Sequence, residues 1–418
     1  MKAKLSLSLL LIFLVSSVFM LPPAKAETAA SMAVDISGYI DGAAYHIRVP
    51  ENWNGTLLVY AHGYSFVQLD PPDAAFGGEV YEDILLAQGY ALAGSMFQNL
   101  GWAVKEGIHD TLVLTNFFRE QVGEPDKIIL YGMSMGGIIT AKSIEKFPGI
   151  YDGGIPMCGP MAGSTEAFDN HLDVGLAYDV AIGWPASWGT VEDPILANPW
   201  IDILPVIFGR LWNPDYYGMH EFVRLVTNKP AEDFYLAPNQ GYGFYVENIL
   251  ISYARAEIEL RAGGNPAQNA GRVYSLDEEE KAYLLGLGVD ADPLLAAMNA
   301  RATITADRNA RNYLMQYADF TGRITQPVLT LHTKYDSVAP VEMESAYGEK
   351  VVSAGYDDNL VQVYTNGLGH CTFTPQQLLA VVAGMESWLE TGVAPDEAYF
   401  PETIGFDNDF EPLSWWLP

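Results

Sequence analysis

A pentapeptide caught between two apolar patterns constrains this chain more than any other feature. Lys127-Ile128-Ile129-Leu130-Tyr131 has the short, dense apolar run of a strand buried on both faces, and Gly137 to Lys146 has the spacing of a helix that stops near Pro148. Gly132-Met133-Ser134-Met135-Gly136 joins them. A strand that turns into a helix over so few residues must hold its corner residue in a strained conformation, and glycines two positions to either side let neighbouring backbone come close. The corner residue is a serine. Its hydroxyl would stand at the carboxyl end of the strand, beside the positive N-terminal end of the following helix, where negative charge is favoured. In that context Ser134 reads as a nucleophile.

The same alternation runs along much of the chain. Residues 33–60 read as paired strands, with an opening strand over Tyr39 to Val49, and Gly55 to Tyr60 runs into Ala61-His62-Gly63-Tyr64. Tyr90 to Met96 and Gly153 to Met157 are further buried strands, and Gly107 to Val122 has helical spacing. Short apolar strands separated by helices imply an α/β fold with a mostly parallel, doubly wound sheet. The rhythm stops at about Thr165 and resumes at Pro327 to Leu331 and Leu360 to Tyr364, with a final helix over Pro375 to Leu389. Between them lie helical patterns, clearest at Tyr245 to Leu260 and Leu276 to Leu285, and aromatic-rich loops. The expected organisation is a core over 27–164 and 320–393, interrupted by a large helical cap over 165–319, with an acidic tail over 394–418.

A serine hydroxyl is a poor nucleophile near neutral pH, so it needs a base, and the base needs an orienting acid. The chain has seven histidines. His370 lies in a glycine-rich loop, Gly367-Leu368-Gly369-His370-Cys371, beyond the last strand pattern. His46 and His332 fall within strand patterns and suit structural roles; His109, His171 and His220 fall on helices or in the cap. Asp336 follows the strand that ends near His332, with Pro340 placed to open the next helix. The expected catalytic set is Ser134, Asp336 and His370. For an oxyanion, the expected donors are the N–H of Met135 and the N–H of Tyr64, with Gly63 permitting close approach and His62 shaping the loop.

Residues 1–26 have the form of a secretory signal. Lys2 and Lys4 precede an apolar run from Leu5 to Leu21, and Ala24-Lys25-Ala26 supplies a cleavage motif before Glu27. The expected location is secreted or periplasmic, without a stable membrane anchor. Removing that segment, which holds three lysines and no acid, takes the formal charge from −30 to −33. So acidic a chain repels nucleic acid and anionic membranes. No His/Cys/Asp cluster has metal-ligand spacing and no glycine loop suits a phosphate, so neither metal nor cofactor is expected. Asp407-Asn408-Asp409-Phe410-Glu411 lacks the spacing of a calcium loop and reads as solvated acidic tail; Asn54-Gly55-Thr56 matches a glycosylation acceptor.

The His-Gly loop, the serine corner, the Asp and the His, in the order Ser, Asp, His, resemble the α/β-hydrolases over roughly residues 33–165 and 320–392. Within them, His370-Cys371 resembles secreted tannases and feruloyl esterases, in which a cysteine after the catalytic histidine is disulfide-bonded. Those enzymes carry the partner cysteine directly before the serine; here that position is Met133, and Cys158 is the remaining cysteine. The resemblance and the oxidising compartment imply a Cys158–Cys371 bridge, the alternative being two buried thiols. It also implies hydrolysis of a small or polymeric carboxylic ester through an acyl-enzyme. A proline-directed serine peptidase and a catalytically silent binding protein are the alternatives on this fold. The cap rings Trp184, Trp188, Trp200, Trp212, Tyr216, Tyr217, Phe234, Tyr235, Tyr242, Phe244 and Tyr245 could form an apolar substrate surface or the cap's own core.

Overall fold

Alternate side chains of the central strands meet two different helix layers, which explains why these strands are apolar without interruption. In the computed structural model, which describes residues 32–211, 213–234 and 254–415, eight strands form one sheet. They are β1 (Met32–Ile40), β2 (Ala43–Pro50), β3 (Thr56–Ala61), β4 (Ala91–Ser95), β5 (Lys127–Met133), β6 (Gly153–Met157), β7 (Val328–Tyr335) and β8 (Leu360–Leu368). Their order is β1-β2-β4-β3-β5-β6-β7-β8. The β1–β2 and β2–β4 pairs are antiparallel and every later pair is parallel.

Three helices connect the first half: α1 (Glu79–Ala87), α2 (Val104–Gln121) and α3 (Met135–Lys146). Leu57, Val59, Ile128 and Leu130 pack with α2 and α3, while Leu58, Tyr60, Ile129 and Tyr131 pack with α1 and with the last helix. This is the α/β-hydrolase fold.

Between β6 and β7 the chain runs through α4 (Ser164–Ala181), α5 (Leu204–Leu211), α6 (Tyr217–Val226), α7 (Ala231–Phe234), a helix over 254–262 (α8), α9 (Glu278–Gly286), α10 (Ala291–Ala300) and α11 (Arg308–Ala318). The core resumes with β7, α12 (Glu342–Ala354), β8 and α13 (Pro375–Thr391). Thr374 and Gln377 form a capping box that starts α13.

Several elements differ from the sequence reading. The opening strand breaks into a hairpin at Asp41-Gly42, both at positive φ, because Asp and Gly tolerate the left-handed backbone that a tight two-residue turn between antiparallel strands requires. Pro340 does not open α12; it lies before Val341, the residue that precedes the helix. Helix α4 gave no clear pattern because it is buried nearly all round, from Ser164 to Tyr178. The tail is anchored as well as solvated: Asp396, Glu397, Glu402, Asp409 and Glu411 are exposed, but Phe400 and Phe406 are buried, Asp407 accepts from Lys334, and Trp415 packs beside Met343 and Ala346. Residues 1–26, Trp212, the Phe234 side chain, Tyr235, Tyr242, Phe244, Tyr245 and most of the helix expected over Tyr245 to Leu260 lie outside the described residues.

Candidate active site

Ser134 ends up at the carboxyl edge of the sheet because β5 runs straight into α3 there. Its φ is +55, a left-handed value that costs a non-glycine residue energy, and the Ser134 N–H donates to the Met157 carbonyl at 2.9 Å, fixing the corner. The neighbouring glycines are required by contact. A Cβ on Gly132 would lie 2.5 Å from the Gly136 oxygen and 2.6 Å from the Ala61 oxygen. A Cβ on Gly63 would meet the Ser134 Cβ at 3.2 Å and the Met133 oxygen at 3.3 Å. The loop after β3 therefore lies directly against the serine.

Two further loops from the same edge reach it. His370, just past β8, places Nε2 2.8 Å from Ser134 Oγ and Nδ1 2.7 Å from Asp336 Oδ2. Asp336 is buried just past β7, and its other oxygen accepts from the N–H groups of Val338 and Ala339, each at 2.9 Å. Burial pushes the Asp336 carboxyl up, but the charge and hydrogen bond of His370, the charge of His332 and the Ala339 N–H outweigh it and hold it below the usual range. Ser134, His370 and Asp336, far apart in the sequence, thus form one hydrogen-bonded line.

Met135 is the first residue of α3, so its N–H is among the donors that no earlier turn of the helix can satisfy. Tyr64 lies one residue beyond Gly63. His62 is half-buried, donates from Nδ1 to the Gly63 carbonyl at 2.6 Å and stacks on Phe97 with ring centroids 4.1 Å apart; desolvation pushes its imidazole pKa down. A neutral ring locked in this way shapes the loop.

Cys158, directly after β6, and Cys371, directly after His370, form a disulfide with a Cα separation of 5.3 Å. It ties the histidine loop to the edge that also holds the serine corner.

Sequence reasoning did not find the aromatic wall beside the site. Tyr64 packs on Phe66 (4.8 Å) and faces Trp102 (6.4 Å); Trp102 meets Phe168 edge-on (5.0 Å), and Phe168 meets His171 (6.2 Å). Trp102 Nε1 also donates to Ser164 Oγ at 2.9 Å, fastening the wall to α4. These rings come from three separate segments, and only the loop carrying Tyr64 had a motif. Cap and core also meet at a cavity of about 90 Å³ lined in part by Lys229, Pro230 and Asp336. Of the cap rings singled out in the sequence, Trp188 is buried against Trp184, whereas Trp200 and Tyr217 are partly exposed. Among the described residues, no group of three or more His, Cys, Asp or Glu side chains is arranged to hold a metal ion.

Residues 36–189 match the Tannase-like family of unknown function (DUF6351). Over 410 residues the chain is 23% identical to an o-phthalyl amidase of Xanthobacter agilis, covering 86% of this chain and 88% of that protein. Among solved structures, feruloyl esterase B from Aspergillus oryzae is similar at 14% identity with a TM-score of 0.45, covering 87% of this chain and 80% of the other. The tannin acyl hydrolase from Aspergillus niger is similar at 14% identity with a TM-score of 0.44, covering 85% and 77%.

Proposed function

We propose that this protein is a secreted serine hydrolase that cleaves carboxylic esters through an acyl-enzyme. One observation carries the reading: the unbroken line from Asp336 Oδ2 to His370 Nδ1 and from His370 Nε2 to Ser134 Oγ, at 2.7 and 2.8 Å. In this reading Ser134 Oγ attacks the carbonyl carbon while His370 Nε2 takes its proton. Asp336 holds the ring in the right tautomer and stabilises the imidazolium. The N–H groups of Met135 and Tyr64 receive the oxyanion. His370 then gives its proton to the leaving alcohol, and a water repeats the cycle on the acyl-enzyme. The half-buried rings of Tyr64 and Phe66, on the loop beside the serine, favour an acyl group that can pack on aromatic faces. A disulfide at the site supports an oxidising compartment. Among the described residues no helix is long and apolar enough to cross a membrane.

Amide hydrolysis is the second reading, favoured by the match to an amidase over most of the chain. A matched pair of substrates, a 4-nitrophenyl ester and the 4-nitroanilide of the same acid, separates the two. The ester reading expects a much larger kcat/KM on the ester, whereas a comparable value on the anilide would make the protein an amidase. Before either assay, a fluorophosphonate probe tests the shared mechanism. It should label the peptide containing Ser134, and a protein that turns over the ester without labelling there would overturn the nucleophile.

A further inference from the structure

The loop that carries Tyr64 is fastened from the cap side, by two residues that the mechanism above does not use. Ser65, the next residue, forms an isolated antiparallel bridge with Gly101, whose N–H donates to the Ser65 carbonyl at 3.0 Å. Gly101 belongs to the irregular segment that leads from β4 to α2, and helix α8 of the cap holds that segment. The Trp102 N–H donates to Glu257 Oε2 at 3.0 Å, across 155 residues of sequence. Arg261, one turn further along α8, donates to Glu257 Oε1 from Nε at 2.9 Å and from Nη2 at 2.6 Å. Its Nη1 donates to Glu106 Oε2 at 3.0 Å, and its Nη2 also to the Leu100 carbonyl at 2.7 Å. The guanidinium therefore spans the cap helix, the segment before Gly101 and the first turn of α2.

Gly101 is shaped for this contact. Its φ is +79, and a Cβ there would lie 2.5 Å from Glu257 Cδ and 2.7 Å from each carboxylate oxygen, so a glycine is what lets the carboxylate reach the Trp102 N–H. The side chains of Arg261, Glu106 and Glu257 are only 13%, 18% and 22% exposed, and hydrogen bonds between charged groups shielded in this way are the strong ones. On the Tyr64 side, the Ser65 hydroxyl bonds are local: it donates to the Val67 carbonyl and accepts from the Val67 N–H, and residues 67–71 are exposed. The opposite flank of Tyr64 is Gly63, which lies against Ser134. One path of direct contacts thus runs from Arg261 and Glu257 through Gly101 and Ser65 to the loop beside the nucleophile.

We infer that Glu257 and Arg261 are positioning residues for the reaction, holding the Tyr64 N–H where the oxyanion forms. The inference rests on the serine-hydrolase reading above. An oxyanion develops only on the way to the transition state, so a displaced donor lowers kcat and leaves the binding of a small ester nearly unchanged. A purely structural ion pair would change how many molecules are folded, not how fast each folded molecule turns over.

The test is steady-state hydrolysis of 4-nitrophenyl acetate, with kcat expressed per serine titrated to completion by a fluorophosphonate. Butylboronic acid, which forms a tetrahedral adduct on a reactive serine, serves as the transition-state probe. Complete loss of one oxyanion donor costs about 100- to 1000-fold, so Glu257→Ala, which loosens the donor without removing it, should lower kcat about 10-fold. KM should stay within about threefold, and the inhibition constant of the boronic acid should rise about as much as kcat/KM falls. Glu257→Gln keeps an oxygen for the Trp102 N–H and should fall between wild type and Glu257→Ala. Glu257→Ala with Arg261→Ala should cost little more than the worse single change, because the two act together. Arg301→Ala, which breaks a different ion pair to Asp179 and Glu192 within the cap, should leave kcat per serine and the inhibition constant unchanged. An unchanged kcat per serine in Glu257→Ala, a loss confined to KM or to the titratable fraction, or an equal loss in Arg301→Ala would overturn the inference. If Glu257→Ala does not fold, Arg261→Lys decides: a lower kcat with weaker boronic acid inhibition supports the pair, and unchanged values remove it. Ser134→Ala keeps the two failures apart. If it retains turnover the hydrolase reading fails, and if it is inactive while the Glu257 variants behave as wild type only this inference fails.

Discussion

Adding one methyl group at Gly132 should disturb both the fold and the chemistry, and the structure gives the size of the effect. A Cβ there would lie 2.5 Å from the Gly136 oxygen and 2.6 Å from the Ala61 oxygen, where ordinary contact begins at about 3.4 Å. Both obstacles are backbone carbonyls, one in the first turn of α3 and one at the end of β3, so no side-chain rotation relieves them. Accommodating Gly132→Ala requires movement of somewhat less than ~1 Å by the serine corner, the β3 edge or both, a degree of overpacking that costs about 1–3 kcal/mol. The same movement separates Ser134 Oγ from His370 Nε2 and shifts the Met135 N–H away from the Gly63 loop. Misplacement of about 1 Å at a reacting centre costs ~100-fold in rate. The expected result is a thermal midpoint lowered by a few degrees and a kcat/KM lowered ~100-fold in the fraction that remains folded. Thermal melts followed by circular dichroism and ester hydrolysis by the same sample measure the two separately. Gly149→Ala is the control, since a Cβ at that position meets nothing within 4 Å. If Gly132→Ala kept both the wild-type melting point and wild-type turnover, the close-packed corner described above would be wrong.

Ser134→Ala, His370→Ala and Asp336→Asn should each lower ester hydrolysis by several orders of magnitude, and Ser134→Ala with His370→Ala should cost little more than the worse single change; additive losses would show that the residues do not act together. Removing the Cys158–Cys371 bridge, which closes a sequence separation of 213 residues, should cost up to about 5 kcal/mol on the loop-entropy argument, and mild reduction should depress hydrolysis before the sheet unfolds; parallel loss of activity and near-ultraviolet dichroism would contradict that order. His220 is buried and its pKa is pushed down to about 4, chiefly by desolvation, so the unfolded chain binds a proton near pH 6.5 that the folded chain refuses until about pH 4. Stability should therefore fall as pH drops through that window, by up to about 3 kcal/mol from this group, and His220→Asn should lessen the fall in urea midpoints between pH 6.5 and 4; an unchanged slope would refute the assignment.

How much of this was legible in the sequence depends on whether a residue's role is set locally. The serine corner is local: a strand, two glycines and a helix within twenty residues specify it, and Ser134 sits where that grammar puts it. His370 and Asp336 were legible for a related reason, since each is the polar residue in a loop just past a buried strand, and a parallel sheet brings all such loops to one edge. The all-round burial of α4 and the return of the tail through Phe400, Phe406 and Trp415 were not legible, because each depends on what packs against it; the hairpin at Asp41-Gly42 differs, since Asp-Gly is a local turn signal that hydrophobic periodicity does not register. Helix α4 shows the cause most clearly. Asp169 takes Arg311 and the Gln268 N–H, and Asp173 takes Arg272 and Tyr274, so the helix buries its acids in ion pairs with residues about a hundred or more positions away. A pattern search scores those positions as solvent-facing and loses the helix.

The same physics separates two of the histidines. His370 announces itself through its glycine-rich loop, whereas His332 looks in sequence like any polar residue in a strand. Its surroundings are set only when α12 folds back and places Glu344 against Thr330, two residues earlier on the same face of β7. Loops past the ends of parallel strands thus carry a signal that sequence reading can use. A buried strand position carries no such signal, because its surroundings are supplied by a helix the chain reaches later.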